Sequence, residues 1–112
     1  MDVQSDFTKD ILIVTVPDNR IDAAVALQFK EAMRQATNNN AERIVLDLRN
    51  VDFVDSSGLG AIVGAMKQLP SNKSLDLSGL TPTVAKVFQL TRMDTIFSIY
   101  PDVETAMNGG DP

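Results

Sequence analysis

Asp55-Ser56-Ser57-Gly58-Leu59-Gly60 lies between a short apolar run and an apolar helical pattern. Upstream, Arg43-Ile44-Val45-Leu46-Asp47-Leu48 is rich in branched residues and bounded by polar ones, the signature of a buried or half-buried strand. Asn50 to Val54 then serves as a connector. Downstream, Leu59, Ile62, Val63, Met66 and Leu69 recur at helical spacing and predict an apolar stripe. The two serines therefore fall where a strand hands over to a helix N-terminus. Backbone N–H groups there lack intrahelical partners, and the helix dipole favours negative charge. A phosphate is tolerable at such a place. Gly58 and Gly60 carry no side chain, so a partner's backbone or a nucleotide phosphate can come close. One of the serines is expected to cap the helix.

The 112 residues suffice for one domain and one core. Ten Lys and Arg against fifteen Asp and Glu give a net charge of −5. An acidic chain without a basic cluster argues against nucleic-acid binding, because phosphate contacts need cations. No apolar run approaches the roughly 20 residues of a membrane span, and no signal peptide is visible. A cytoplasmic location is expected. There is no Cys, hence no disulfide or redox site, and no His, which excludes His-based triads and His metal sites. The serines lack the preceding Gly of a nucleophile elbow, and no Gly-x4-Gly-Lys-[Ser/Thr] loop exists. Asp52 and Asp55 read as loop and cap residues, with no metal site and no cofactor. The sequence points away from an enzyme.

Along the chain, Val3–Thr8 and Ile11–Val16 read as strands joined by a two-residue turn, Lys9-Asp10. Pro17 to Arg20 breaks the second strand. Asp22 is the expected N-cap of a helix from Ala23 to about Asn38, with Val25, Phe29, Met33 and Ala36 inward. After the central strand, serine connector and second helix, Ser74–Leu80 suggests another strand. Thr81-Pro82 opens a third helix with Val84, Val87, Phe88 and Thr91 inward. Thr95–Tyr100 reads as a last strand, and Asp102 caps a final helix through Met107. Residues 108–112 are expected to form a frayed tail. The order is β-β-α-β-α-β-α-β-α. It implies an α/β domain: a mixed, mostly parallel sheet of about four to five strands, with about four helices mainly on one face.

These residues resemble a known family. Val45-Leu46-Asp47-Leu48, the run Val51 to Gly60, the small-residue helix Ala61-Ile62-Val63-Gly64-Ala65, Arg20-Ile21-Asp22 and Val87-Phe88-Gln89-Leu90-Thr91 are similar to the STAS domains of bacterial anti-sigma factor antagonists. The likeness spans essentially the whole chain as a single STAS domain. It implies a partner switch. In the family, the unmodified antagonist binds an anti-sigma factor that is also a GHKL-type serine kinase, and the sigma factor is released. The kinase phosphorylates the serine after the motif Asp, and a PP2C-type phosphatase reverses this. Carried onto this chain, the acceptor is Ser56, with Ser57 as second choice. The partner surface is Asp22, Asp55, Ser56, Ser57, Gly58, Leu59 and Gly60. The chain departs from the family where Asn19 stands in place of a frequent Gly and Arg92-Met93 in place of a frequent Gly-Leu. A monomer or weak dimer is the simplest state.

Two other readings stand beside this one. A non-phosphorylated STAS scaffold in a transport or stress-signalling assembly would use the same face, but such members tend to lose the serine motif. A nucleotide-binding module is suggested by the glycines alone. No Lys or Arg lies between Val51 and Met66 to balance a nucleotide's phosphates.

Overall fold

The computed structural model describes residues 1–109. Five strands form one sheet in the order β1-β2-β4-β6-β7. β1 (Gln4–Thr8) runs antiparallel to β2 (Ile11–Thr15), and β2, β4 (Arg43–Asp47), β6 (Ser74–Ser78) and β7 (Ile99–Tyr100) are mutually parallel. The hairpin expected at Lys9-Asp10 is present. Both residues adopt positive φ, 52° and 65°, the geometry that lets a two-residue turn follow the sheet's twist. β1 is exposed and carries Asp6, as suits an edge strand. The runs Ile11–Val14 and Ile44–Asp47 are buried, because parallel strands are covered on both faces.

Three helices cover one face and a fourth covers the other. α1 (Ala26–Ala36), α2 (Ser56–Lys67) and α3 (Pro82–Leu90) pack on Leu12, Val14, Ile44, Leu46, Leu75 and Leu77. Across the sheet, Ile11, Ile13 and Val45 pack under Ala106 of α4 (Val103–Met107). Phe29, Met33 and Phe88 are the large anchors of the main core, each side chain contributing about 1.5–3 kcal/mol. Phe88 meets Phe97 edge-on at 6.1 Å.

Several local expectations change. α1 begins at Ala26, three residues later than Asp22 as N-cap would require. Asp22 Oδ1 instead accepts the Ala24 N–H at 3.1 Å and closes a turn ahead of the helix. The buried line of α2 is Gly58, Ala61, Ile62 and Ala65, while Leu59, Val63, Met66 and Leu69 are half-buried at its flanks. Small residues let this helix approach its neighbours more closely than the larger ones could. In α3, Val84 and Phe88 are buried, but Thr91 is exposed and its hydroxyl donates back to Val87 O. The expected strand over Thr95–Tyr100 shortens to Ile99–Tyr100, because Met93–Thr95 coils into a 3-10 turn after left-handed Arg92. Gly79 ends β6 at φ 69° instead of extending it. Asn108 and Gly109 finish α4, and the remainder of the expected tail, 110–112, lies outside the described residues.

Two strands escaped the sequence pattern. β3 (Arg20–Ile21) and β5 (Phe53–Val54) pair in parallel as a separate two-stranded sheet, with Arg20 opposite Phe53 and Ile21 opposite Val54. Each has only two residues, too few for a period to register. This small sheet positions the serines.

Candidate functional site

The site is assembled from two segments of the same pattern, Arg20-Ile21-Asp22 and Phe53-Val54-Asp55. In each the middle residue is buried, and the residues on either side turn toward solvent. Ile21 and Val54 pin the pair to the main core. Above them, the Arg20 guanidinium carbon sits 4.7 Å from the centroid of the Phe53 ring, a cation–π contact. Arg20 Nε also pairs with Asp22 Oδ2 at 3.1 Å.

Asp55 joins the two segments. Its Oδ1 accepts the Gly58 N–H at 2.8 Å, capping α2, while its Oδ2 accepts the Ala23 N–H at 3.1 Å. The Gly58 N–H holds the Asp55 carboxyl below the usual carboxylate range. Burial opposes this, and the N–H groups of Ala23 and Ser57 and the nearby Arg20 reinforce it. Asp55 is therefore the cap, as its reading as a cap residue expects, and neither serine takes that role. Ser56 and Ser57 are the first two residues of α2, both exposed. Among the described residues neither hydroxyl makes a protein hydrogen bond. Both hydroxyls lie exposed at the positive end of a helix.

The other residues of the expected surface divide. Asp22 is half-buried beside Arg20, and Asp52, outside that surface, is exposed with its N–H donating to Asn19 O at 2.9 Å. Leu59 is half-buried and packs on the main core. Gly60 is exposed with open space about it. Gly58 lies beneath the surface, where a Cβ would sit 1.9 Å from Ile21 O. Close backbone packing thus rests on Gly58; beside Gly64 a Cβ would meet only the Lys30 side chain. Asn19 is not among the positive-φ residues, so its replacement of a glycine costs no strain there. Arg92 does adopt φ 63°, so that departure does carry strain.

Phe53 and Arg20 lie outside the partner surface expected from the sequence. The available signal was the repeated pattern of exposed residue, apolar residue and Asp in the two segments. Only pairing across 33 residues of sequence turns it into a site.

Among the described residues no helix is long and apolar enough to cross a membrane, and no cluster of three or more acidic residues could hold a metal ion.

A STAS-domain family model matches residues 2–106. The chain is 37% identical over 92 residues to the anti-sigma-B factor antagonist of Listeria monocytogenes, covering 81% of this chain and 80% of that protein. It is 27% identical over 111 residues to the anti-sigma F factor antagonist of Paenibacillus polymyxa, covering 96% and 92% respectively. A solved structure of an anti-sigma factor antagonist from Mycobacterium paratuberculosis shares the fold, with TM-score 0.85, 21% identity, and coverage of 96% of this chain and 91% of that one.

Proposed function

The chain belongs to the STAS-domain family, and from that premise we propose that it is an anti-sigma factor antagonist switched by phosphorylation of Ser56. It acts by binding, not by catalysis. The unmodified form docks on an anti-sigma factor with GHKL-type serine kinase activity, and a sigma factor is released. Phosphoryl transfer from ATP to Ser56 Oγ ends that complex, and a PP2C-type phosphatase restores it. The same reading puts the protein in the cytoplasm.

The observation that carries this reading is the exposed, unheld Ser56 hydroxyl directly after the Asp55 cap. Phosphate adds about −1.5 to −2 charges and three strong acceptors. Within the free protein the α2 N-terminus partly offsets this charge, so the fold survives. Across an interface the same charge is costly. The Asp55 carboxylate directly precedes the position and holds the segment that carries Asp22, and a partner shaped for a neutral hydroxyl must desolvate the phosphate. A loss of ~3–4 kcal/mol, a few hundred-fold in affinity, is enough to exchange partners.

The test is mass spectrometry of the protein from its native cell, with and without phosphatase. One removable phosphate on Ser56 supports the switch, and capture on Ser56→Ala then identifies the kinase. A phosphate on Ser57 keeps the mechanism and moves the acceptor by one residue. A chain that stays unmodified in every growth condition, with one constant partner, refutes the switch in favour of a scaffold role.

A further inference from the structure

The segment from Val51 to Met66 contains no cation, yet the fold supplies one from outside it. Arg20 reaches the site through the pairing of β3 with β5. Its guanidinium has two present partners, Asp22 Oδ2 at 3.1 Å and the Phe53 ring at 4.7 Å. Its side chain is 56% exposed, so nothing locks it there. Contacts lead from it to the acceptor: Asp22 pairs with Arg20, the next residue Ala23 donates to Asp55, and Asp55 directly precedes Ser56. Several other cations lie or pair elsewhere: Arg34 with Glu31, Arg43 with Asp76 and Lys73 with the carbonyls of Thr37 and Ala41. Lys30 lies beside Gly64, two turns further along α2, and Arg49 pairs with Asp47.

We propose that Arg20 is the internal reader of the Ser56 phosphate: on phosphorylation its guanidinium leaves Asp22 and the face of Phe53 and forks onto the phosphate oxygens. The proposal rests on Ser56 as the phosphoacceptor. A guanidinium matches a phosphate bidentately, and a dianion attracts it more strongly than one carboxylate does. The present Arg20–Asp22 pair is open to solvent on its Arg20 side and makes a single contact, so it yields easily to a dianion. Asp22 does not become orphaned, because Oδ1 keeps the Ala24 N–H. The new pair also screens the phosphate from the neighbouring Asp55 carboxylate.

The exchange alters the surface as well as its charge. Asp22 loses its counter-ion, and Phe53, already 40% exposed, loses the guanidinium over its ring. A partner that docks on Arg20, Asp22 and Phe53 in the unmodified form meets three changed groups after phosphorylation. One modified oxygen thus reshapes a surface spanning both segments of the small sheet.

The test uses the full chain with phosphoserine incorporated at position 56 during translation. The phosphate is titrated by phosphorus NMR in this chain and in its Arg20→Gln and Lys67→Gln variants. The expected result is a titration midpoint about half a pH unit higher in Arg20→Gln, because a nearby cation favours the dianion, with Lys67→Gln unchanged. The Arg20 Nε–H signal should also shift between the serine and phosphoserine forms. Equal midpoints for the parent and Arg20→Gln, or an unmoved Arg20 signal, overturn the proposal. Because the phosphate is installed synthetically, this outcome is independent of any kinase. Failure of the underlying switch reading appears instead as Ser56 unmodified in the native cell.

Discussion

Gly58 lies so close to Ile21 that a Cβ built on it would fall 1.9 Å from the Ile21 carbonyl oxygen and 2.7 Å from its carbonyl carbon. Both clashing atoms are backbone, so no rotamer change relieves them. The contact fixes the first turn of α2 against β3, and with it the height of Ser56 and Ser57 above the small sheet. Gly58→Ala must therefore push the helix start off β3. We expect it to destabilise the fold by at least about 2 kcal/mol, read from urea unfolding. Gly60→Ala, with open space around the added methyl, should be neutral or slightly stabilising. Equal stability of the two variants would contradict the close approach.

Asp55 makes the stability of this site pH-dependent. Its carboxyl is held below its ordinary range, first by the Gly58 N–H, so its folded pKa is lower than its unfolded one. The stabilisation is therefore complete above the unfolded carboxylate value of about 4 and disappears as the pH falls through the lower folded value. Asp55→Asn keeps an acceptor for the cap and removes the charge. Its urea midpoint should lie below the parent's at neutral pH, and the gap should close on acidification. A gap that does not change with pH would rule out the charge as the cause.

Ser56 substitutions should separate binding from folding. Its side chain is exposed, so Ser56→Ala and Ser56→Glu should each unfold within about 0.5 kcal/mol of the parent. Against the kinase partner, Ser56→Ala should bind constitutively, whereas Ser56→Asp and Ser56→Glu should bind poorly. Calorimetric titration against the captured partner decides this. Identical affinities for all forms would remove the basis for the switch.

Arg92 holds φ 63° at the end of α3, a conformation that glycine adopts freely and a side chain resists. Arg92→Gly relieves this strain but gives the unfolded chain more freedom. We expect a net gain of about 0.5 kcal/mol, seen as a small rise in Tm. Asn19→Gly offers no such relief, because Asn19 has no positive φ, and should lower the Tm slightly.

Lys73 is the residue that closes the far end of α1. Its ammonium donates to the carbonyls of Thr37, Asn39 and Ala41, at 3.1 Å for Thr37 and 2.8 Å for Ala41. Lys73→Met keeps the aliphatic stem and removes all three bonds. A cost of about 1–2 kcal/mol is expected from chemical denaturation, with no change in partner binding, since the site lies on other elements.

What the sequence alone determined was whatever a few neighbouring residues settle among themselves. The period of Phe29 and Met33, the Thr81-Pro82 helix start, the Asp102 cap and the Lys9-Asp10 turn are local preferences, and the structure keeps each of them. Strands alternating with helices likewise pointed to a mixed, mostly parallel sheet, because a parallel crossover needs a helix-length connection, and the structure has one antiparallel edge. Tertiary structure decided the rest. Pairing of Arg20 with Phe53 created a two-stranded sheet whose members are too short to show a pattern. The close approach of α2 to Ile21 selected small residues for its buried line. The Asp55 side chain reached back 32 residues to Ala23, leaving both serines uncapped and exposed. The serine motif could be read from the sequence because its chemistry is contiguous. The cation and aromatic ring beside it could not, because only folding brings residues 20 and 53 together.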